Sequence, residues 1–261
     1  RFGPCPRVVN RMMSGTPQAW SVRARNLPEH ADNPIHTDEG GRAAGFNAAL
    51  VAGVTVHAYM VRPVVEAWGE GWLAAGSSTV EFLAPVEAGD LVDCVPEPVG
   101  NGSVEVRALV DGDLRARLVA HPPGGVHDMG KDWSDRPLSE RLPDHVEPLV
   151  DQWINYAERA GADLALCAKA AVVHPSVWPA LANGVMTRHL VDGSWIHTSS
   201  RIAHHAAVPV GVSALVEATV VDRFDTRSGS RAVVDVRISV DGLPVVTIEH
   251  EALVSLEPTA P

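Results

Sequence analysis

The pattern of apolar and polar residues divides the chain into one long apolar run and a series of short strand-like segments. Residues 43–67 are apolar on nearly every side, which is typical of a helix buried over most of its surface. We predict a single helix over this run. Gly53 interrupts it, and a glycine inside a helix costs about 1 kcal/mol relative to alanine, so it needs a packing or functional reason.

Five segments of strand length accompany this helix. Residues 20–27 alternate apolar and polar positions ahead of it, and four more segments follow it, each bounded by turn residues. These four are residues 77–83, 91–95, 103–110 and 114–120. The Asp111-Gly112 pair is a typical hairpin turn. The first half therefore predicts an antiparallel sheet curled around one buried helix.

The pattern then recurs about 130 residues later. Residues 104–112 match residues 234–242, and Ala52-Gly53-Val54 matches Asn183-Gly184-Val185 at nearly the same offset. Two matches at one offset indicate an internal duplication, with chance similarity between strand-like segments as the alternative.

The duplication predicts three regions. We expect an N-terminal repeat over residues 14–120, a Pro- and Gly-rich linker over 121–150 and a C-terminal repeat over 151–257. In the second repeat the pattern predicts a helix near 178–190 and strands near residues 195–203, 213–221, 231–240 and 245–255.

Composition narrows the classes of partner. The 261 residues are 46% hydrophobic and 20% charged, with a formal net charge of −11. This charge argues against nucleic acid and against an anionic membrane surface, both of which would repel the protein. The long apolar run contains Arg62, Pro63 and Glu66 and is better interpreted as a core helix than as a membrane span.

The cysteines and glycines exclude several kinds of site. Cys5, Cys94 and Cys167 have no metal-ligand spacing, and their odd number argues against a disulfide framework. A reducing, cytoplasmic setting fits this usage. The sequence contains no Gly-rich phosphate loop, no Cys-x-x-Cys and no Gly-x-Ser-x-Gly, so we predict no cofactor and no metal.

A polar turn just before the apolar run carries the candidate chemistry. It reads Asp32-Asn33-Pro34-Ile35-His36-Thr37-Asp38. A histidine titrates near neutral pH without special tuning, so His36 can both give and take a proton. Asp38 suits the N-cap or first turn of the following helix. From the residues alone, His36 is either a catalytic group or a solvent-exposed loop histidine.

This stretch also resembles the MaoC-like (R)-specific enoyl-CoA hydratase family. That family's motif is Asp-x-Asn-Pro-Leu/Ile-His, followed by a His-Gly-Met step on the central helix. The matching positions are Asn33, Pro34, Ile35, His36, Asp38, Phe46 and Gly53. The family's Asp and its helix His are replaced here by Ala31 and Ala52. The resemblance is close for residues 20–95 and weaker beyond.

The resemblance implies an α+β double hot-dog fold, in which two repeats each wrap an antiparallel sheet around a central helix. It also implies a carbon–oxygen lyase that hydrates a 2-enoyl thioester or dehydrates a 3-hydroxyacyl thioester. His36 would be the main acid/base and Asp32 the substitute for the missing acid. Asn33 would hold the loop, and the backbone at Gly53 and Val54 would bind the thioester carbonyl. Gly53 as a packing glycine is the structural alternative.

Two other functions remain open at this stage. The same fold supports acyl thioesterases, and a protein that has lost the family's Asp could bind acyl thioesters without catalysis. The carrier could be coenzyme A or an acyl carrier protein, and a homodimer stays open.

The second half is rich in histidine, at positions 174, 189, 197, 204, 205 and 250. Their spacing matches no metal motif. His204 and His205 are neighbours on a predicted strand, so at most one of them can line a pocket. We interpret this half as a degenerate partner that shapes the acyl pocket, with a second, separate active site as the alternative.

Overall fold

A computed structural model describes residues 15–124, 140–150, 156–162, 165–191 and 193–256. Its helices are α1 (Asp38–Ala43), α2 (Gly53–Ala75), α3 (Tyr156–Ala160), α4 (Ala165–Ala170) and α5 (Val177–His189). Its strands are β1 (Trp20–Arg23), β2 (Ser77–Phe82), β3 (Leu91–Gly100), β4 (Ser103–Val110), β5 (Asp113–His121), β6 (Glu140–Arg141), β7 (His145–Pro148), β8 (Ile196–His204), β9 (Ser213–Thr226), β10 (Gly229–Val240) and β11 (Leu243–Leu253).

All described strands join one antiparallel sheet whose order is β1-β3-β4-β5-β2-β8-β11-β10-β9-β6, with β7 also on β9. The strand order on one side of the β2–β8 pair nearly mirrors the order on the other side. The equivalent strands are β5 and β11, β4 and β10, and β3 and β9. The predicted α+β arrangement of two helices, each wrapped by antiparallel strands, is therefore confirmed. The two halves join where β2 pairs with β8, from Ser77 opposite Ala203 to Glu81 opposite Ser199.

Local sequence explains the matching hairpins of the two halves. Asp111 and Gly112 both adopt positive φ, at 52° and 87°, and Asp241 and Gly242 repeat this at 51° and 76°. Two consecutive residues with positive φ form the turn that suits the twist of adjacent strands, and Asp-Gly tolerates it well. The strands on either side, β4 with β5 and β10 with β11, are those that the 130-residue repeat predicts.

The second sequence match is not structurally equivalent. Gly53 is the first residue of α2, whereas Gly184 lies in the middle of α5. The similarity of residues 52–54 and 183–185 therefore carries no evidence for the duplication, which rests on the strands.

The predicted helix over residues 43–67 starts in the wrong place. Before Gly53, only Ala43 of the predicted helix is helical, as the last residue of the short helix α1. Residues 44–52 form an irregular segment, and α2 runs further, to Ala75. Inside α2, Pro63 lacks one backbone donor, and Gly69 has a non-helical φ of 64°. Gly53 therefore begins the helix instead of interrupting it.

Part of the predicted linker belongs to the sheet. Residues 140–141 and 145–148 form β6 and β7, and both pair with β9. Residues 125–139 lie outside the described residues, as do Cys5 and the chain beyond residue 256. The repeat boundaries proposed from the sequence stay a prediction.

The two halves have separate cores. Helix α2 buries Tyr59, Met60 and Trp72 completely against the first five strands. Helix α5 buries Trp178 and Met186 against the strands of the second half. Within the described residues, no helix combines the length and the hydropathy needed to span a membrane.

Candidate active site

The turn that carries His36 is fixed by contacts on both sides. The Asn33 side chain accepts a hydrogen bond from the Ile35 N–H at 3.4 Å and donates to the Trp195 carbonyl, in the second half, at 2.9 Å. The Ile35 side chain is buried. A Cβ on Gly40 would lie 1.9 Å from the Pro34 carbonyl oxygen, so only glycine lets α1 pack this closely against the turn. The Asn33 side chain therefore ties this turn to the second half.

His36 is half-buried and oriented by a backbone carbonyl. Its Nδ1 lies 2.8 Å from the Leu50 oxygen. A carbonyl oxygen only accepts, so Nδ1 carries the proton and Nε2 keeps a lone pair. Burial lowers the pKa of His36, and the Leu50 carbonyl raises it in part. The imidazole is therefore neutral near pH 7.

The first turn of α2 lies beside the same turn. Within the described chain, no acceptor pairs with the N–H of Gly53 or Val54, because Thr55 and Val56 already take the Ala52 carbonyl. A Cβ on Gly53 would lie 3.3 Å from His197 Nδ1 and 3.3 Å from two ring atoms of Phe82. The glycine is thus both a packing residue and the reason that this helix end stays open.

A polar cavity of about 560 Å³ lies between the two halves. His36, Asn33, Gly53 and Val54 contribute from the first half. The second half contributes both polar residues, among them Asn183, Thr187 and His197, and apolar ones such as Ala180, Val191 and Trp195.

An apolar cavity of about 170 Å³ adjoins it, and Gly53, Trp195 and His197 line both. Its other walls include Phe46, Val56, Phe82, Val86 and Ile196. A cavity of about 150 Å³ lined by apolar side chains holds a benzene-sized group, so this one is suited to a short hydrocarbon chain.

Asp32 does not reach His36. Its side chain is exposed at the mouth of the polar cavity, and among the described residues no hydrogen bond joins it to an imidazole. His30 packs against His36 instead, with ring centroids 5.9 Å apart. His30 Nε2 lies 3.1 Å from the Tyr156 hydroxyl, which lies 2.8 Å from Thr55 Oγ1. Burial lowers the pKa of His30 to about 4, so it is neutral as well.

His197 is the site residue that sequence analysis missed. It lies at the start of β8, and its ring packs on Phe82 with centroids 4.7 Å apart. In sequence it is one of several histidines without a motif. Only the β2–β8 pairing, a contact between residues more than 100 positions apart, brings it to Gly53. Among described residues, no three His, Cys, Asp or Glu side chains converge closely enough to hold a metal ion.

Comparisons with known proteins identify the fold. No protein-family model matches the chain, and no curated protein matches it. A MaoC-like dehydratase superimposes with a TM-score of 0.58 at 14% identity, over 93% of this chain and 99% of its own. A conserved hypothetical protein of Mycobacterium tuberculosis with a double hot-dog fold gives 0.62 at 13% identity, over 93% and 96%.

A Lactobacillus plantarum protein assigned as an oleoyl thioesterase gives a TM-score of 0.55 at 8% identity, over 94% of this chain and all of its own, 100%. At these identities the likeness shows the fold and leaves the reaction open. The chain therefore has the double hot-dog fold that MaoC-like dehydratases share, as its Asn-Pro-Ile-His turn predicts.

Proposed function

We propose that this protein is a hydratase/dehydratase that acts on a 2-enoyl or 3-hydroxyacyl thioester of coenzyme A or an acyl carrier protein. One observation carries the proposal. A half-buried neutral histidine, His36, and the unpaired N–H groups at Gly53 line one cavity, directly beside an apolar cavity suited to an acyl chain.

The helix end supplies the electrophilic part of the site. In the proposed complex the thioester oxygen accepts a hydrogen bond from the Gly53 N–H, with Val54 next to it. This end of α2 carries partial positive charge, which stabilises the enolate that forms during the reaction. The acyl chain enters the apolar cavity, and the carrier arm leaves through the polar cavity.

His36 supplies the proton transfer. In the hydration direction, the water oxygen bonds to C3 while one of its protons passes to His36 Nε2. The electrons of the C2–C3 double bond move onto the thioester oxygen. They return to C2 when His36 releases the same proton there, so water has been added and His36 is neutral again.

The carboxylates at the cavity favour this chemistry over a thioesterase. A hot-dog thioesterase needs a carboxylate to activate water at the carbonyl carbon. Glu29 is held by Arg159, with an O–N distance of 2.7 Å, and Asp32 is exposed at the mouth. Glu29 is thus engaged by a cation and Asp32 faces solvent, so the histidine chemistry has the stronger support.

The test is an assay with crotonyl-CoA and longer 2-enoyl-CoAs that follows both the enoyl absorbance and free thiol. We expect absorbance to fall without thiol release, and His36→Ala to abolish this. Asp32→Asn should keep most activity, and the exposed His205→Ala serves as the control variant. Thiol release would indicate a thioesterase. Binding without either signal would indicate an acyl-thioester-binding protein.

A further inference from the structure

His197 carries an unsatisfied polar atom beside the proposed site. The side chain is 5% exposed, and within the described residues its Nδ1 has no hydrogen-bond partner. This nitrogen faces the first residue of α2, 3.3 Å from the place where a Cβ on Gly53 would lie. Both cavities reach the ring. Other buried histidines among the described residues also have an unpaired nitrogen, but only His197 among them lines both cavities, so a ligand bound there can supply the missing donor.

The tautomer of His197 follows from its other nitrogen. Nε2 lies 3.2 Å from the Ser199 carbonyl oxygen and 2.8 Å from Ser200 Oγ. Since the carbonyl only accepts, Nε2 carries the proton. The Ser200 hydroxyl can then donate to His250 Nδ1, 2.8 Å away. His197 Nδ1 is therefore a lone pair, and it needs a donor from the ligand.

The ring is held in this orientation. It stacks on His250 with centroids 4.2 Å apart and packs on Phe82 from another side. Burial keeps the pKa of His197 well below its ordinary value. The imidazole thus stays neutral and acts as an acceptor instead of taking a full proton.

Resting on the proposed function, we propose that His197 Nδ1 accepts a hydrogen bond from the oxygen that adds to C3 and so takes the place of the acid missing at Ala31. In hydration, one water proton passes to His36 and the other stays in the hydrogen bond to His197. The oxygen bonds to C3, and the product 3-hydroxyl donates to the same Nδ1. In dehydration, His197 holds this hydroxyl until it leaves as water.

The link between the halves suits this role. Asn33 donates to the Trp195 carbonyl, two residues before His197, so the His36 turn and the start of β8 are tied together. A catalytic pair drawn from two repeats needs such a link to keep its geometry.

The test compares His197→Phe, which keeps the ring and removes both nitrogens, with His197→Asn, whose side-chain oxygen can occupy the Nδ1 position. His204→Phe is the matched control. His204 is also buried, and its Nδ1 also lacks a partner among described residues, but it lines neither cavity. We expect His197→Phe to lower kcat for crotonyl-CoA hydration on the order of tenfold to a hundredfold. His197→Asn should recover part of this loss, and His204→Phe should stay near wild type.

A binding measurement separates this proposal from the proposed function. In a His36→Ala background, calorimetry should show that 3-hydroxybutyryl-CoA binds more tightly than butyryl-CoA. Adding His197→Phe should remove the preference without weakening butyryl-CoA, whereas adding His204→Phe should keep it. A preference that survives His197→Phe, or is absent in an enzyme that hydrates crotonyl-CoA, would overturn the role of His197 alone. A wild-type protein that neither hydrates nor binds these thioesters would overturn the proposed function itself.

Discussion

Mild acid should destabilise this protein strongly, because five histidines are buried where the two halves meet. We call them the inter-repeat histidine cluster: His57, His174, His197, His204 and His250. Each ring has one nitrogen without a partner among the described residues. Burial lowers the pKa to about 3 for His174, His204 and His250, and well below 6.5 for the other two. All five are therefore neutral in the folded protein.

The sign and size of the effect follow from proton linkage. In the unfolded chain each of these histidines has a pKa near the ordinary histidine value of 6.5, so the unfolded state binds more protons as the pH falls. The free energy of unfolding is thus fully retained above about pH 7 and is lost as the pH drops from 6.5 toward the folded values. At pH 5.5 the loss is about 1.4 kcal/mol per histidine and about 7 kcal/mol for five. A typical domain has only about 5–15 kcal/mol in total.

Urea titrations at pH 7.5 and pH 5.5, followed by tryptophan fluorescence, measure this loss. His204→Phe keeps a ring against Trp72, whose centroid lies 5.0 Å away, and should reduce the loss by about 1.4 kcal/mol. Ile202→Val, on the same strand and fully buried, should lower the free energy of unfolding by about 1 kcal/mol equally at both pH values. The reasoning is refuted if the free energy of unfolding of the wild type falls by less than about 1.4 kcal/mol between the two pH values, or if that of His204→Phe falls by as much as that of the wild type.

Three substitutions test the geometry of the site. Gly53→Ala should lower kcat/KM for crotonyl-CoA at least tenfold, because the new Cβ crowds His197 and the carbonyl position. The free energy of unfolding should change by less than about 2 kcal/mol, since the cost of overpacking is partly offset by a less flexible unfolded chain. Asn33→Ala should cost about 1–3 kcal/mol in a urea titration, because the Trp195 carbonyl loses its donor. Phe82→Ala enlarges the apolar cavity and should shift the best 2-enoyl-CoA substrate, in a chain-length series of kcat/KM, toward longer chains.

Local patterns were sufficient to predict most of the sheet. The strands β2, β4, β5 and β8 lie within one or two residues of their predictions, because alternating burial and Asp-Gly turns are visible in a few consecutive residues. For β6 and β7 the sequence predicts a linker, because these strands are only two and four residues long and lie among Pro, Gly and charged residues. Their pairing with β9 depends on tertiary contacts.

The start of α2 could not be predicted from hydrophobicity. Residues 44–52 are as apolar as a buried helix would be, but they form an irregular segment. In this segment the Leu50 N–H donates to the Ile35 carbonyl and the Val51 N–H donates to the Val86 carbonyl. Residues 49–52 of this segment are buried, whereas Gly45 and Asn47 are exposed. A periodicity argument cannot distinguish such a buried segment from a buried helix. The predicted start at residue 43 affects the functional interpretation, because it places Gly53 inside a helix and not at the open N-terminal end where it lies.

Asp32 is predicted as the acid because it lies next to the motif in sequence, but adjacency in sequence is a weak guide to side-chain position on a tight turn. Asp32 is adjacent to Asn33, yet one side chain is exposed at the mouth and the other is buried against the second half. Successive side chains on a turn point in different directions, so a shift of one position moves the carboxylate out of the site. A substitute for the acid that is missing at Ala31 has to be identified from three-dimensional contacts. His197 is the candidate, because its Nδ1 lies 3.3 Å from the position that a Cβ on Gly53 would take.

The two central helices differ at their N-terminal ends. At the start of α5, the Ser176 N–H donates to His174 Nδ1, the Val177 N–H donates to the His174 carbonyl, and Ser176 Oγ lies 2.8 Å from His57 Nδ1. Ser176 and Val177 are completely buried, and among the described residues neither cavity reaches this helix end. At α2 the equivalent place holds Ala52 and Gly53, without a capping side chain, and opens on two cavities. The repeats therefore differ at this helix end. It is open at α2, where we propose that the thioester binds, and at α5 it is closed by contacts with His174 and His57.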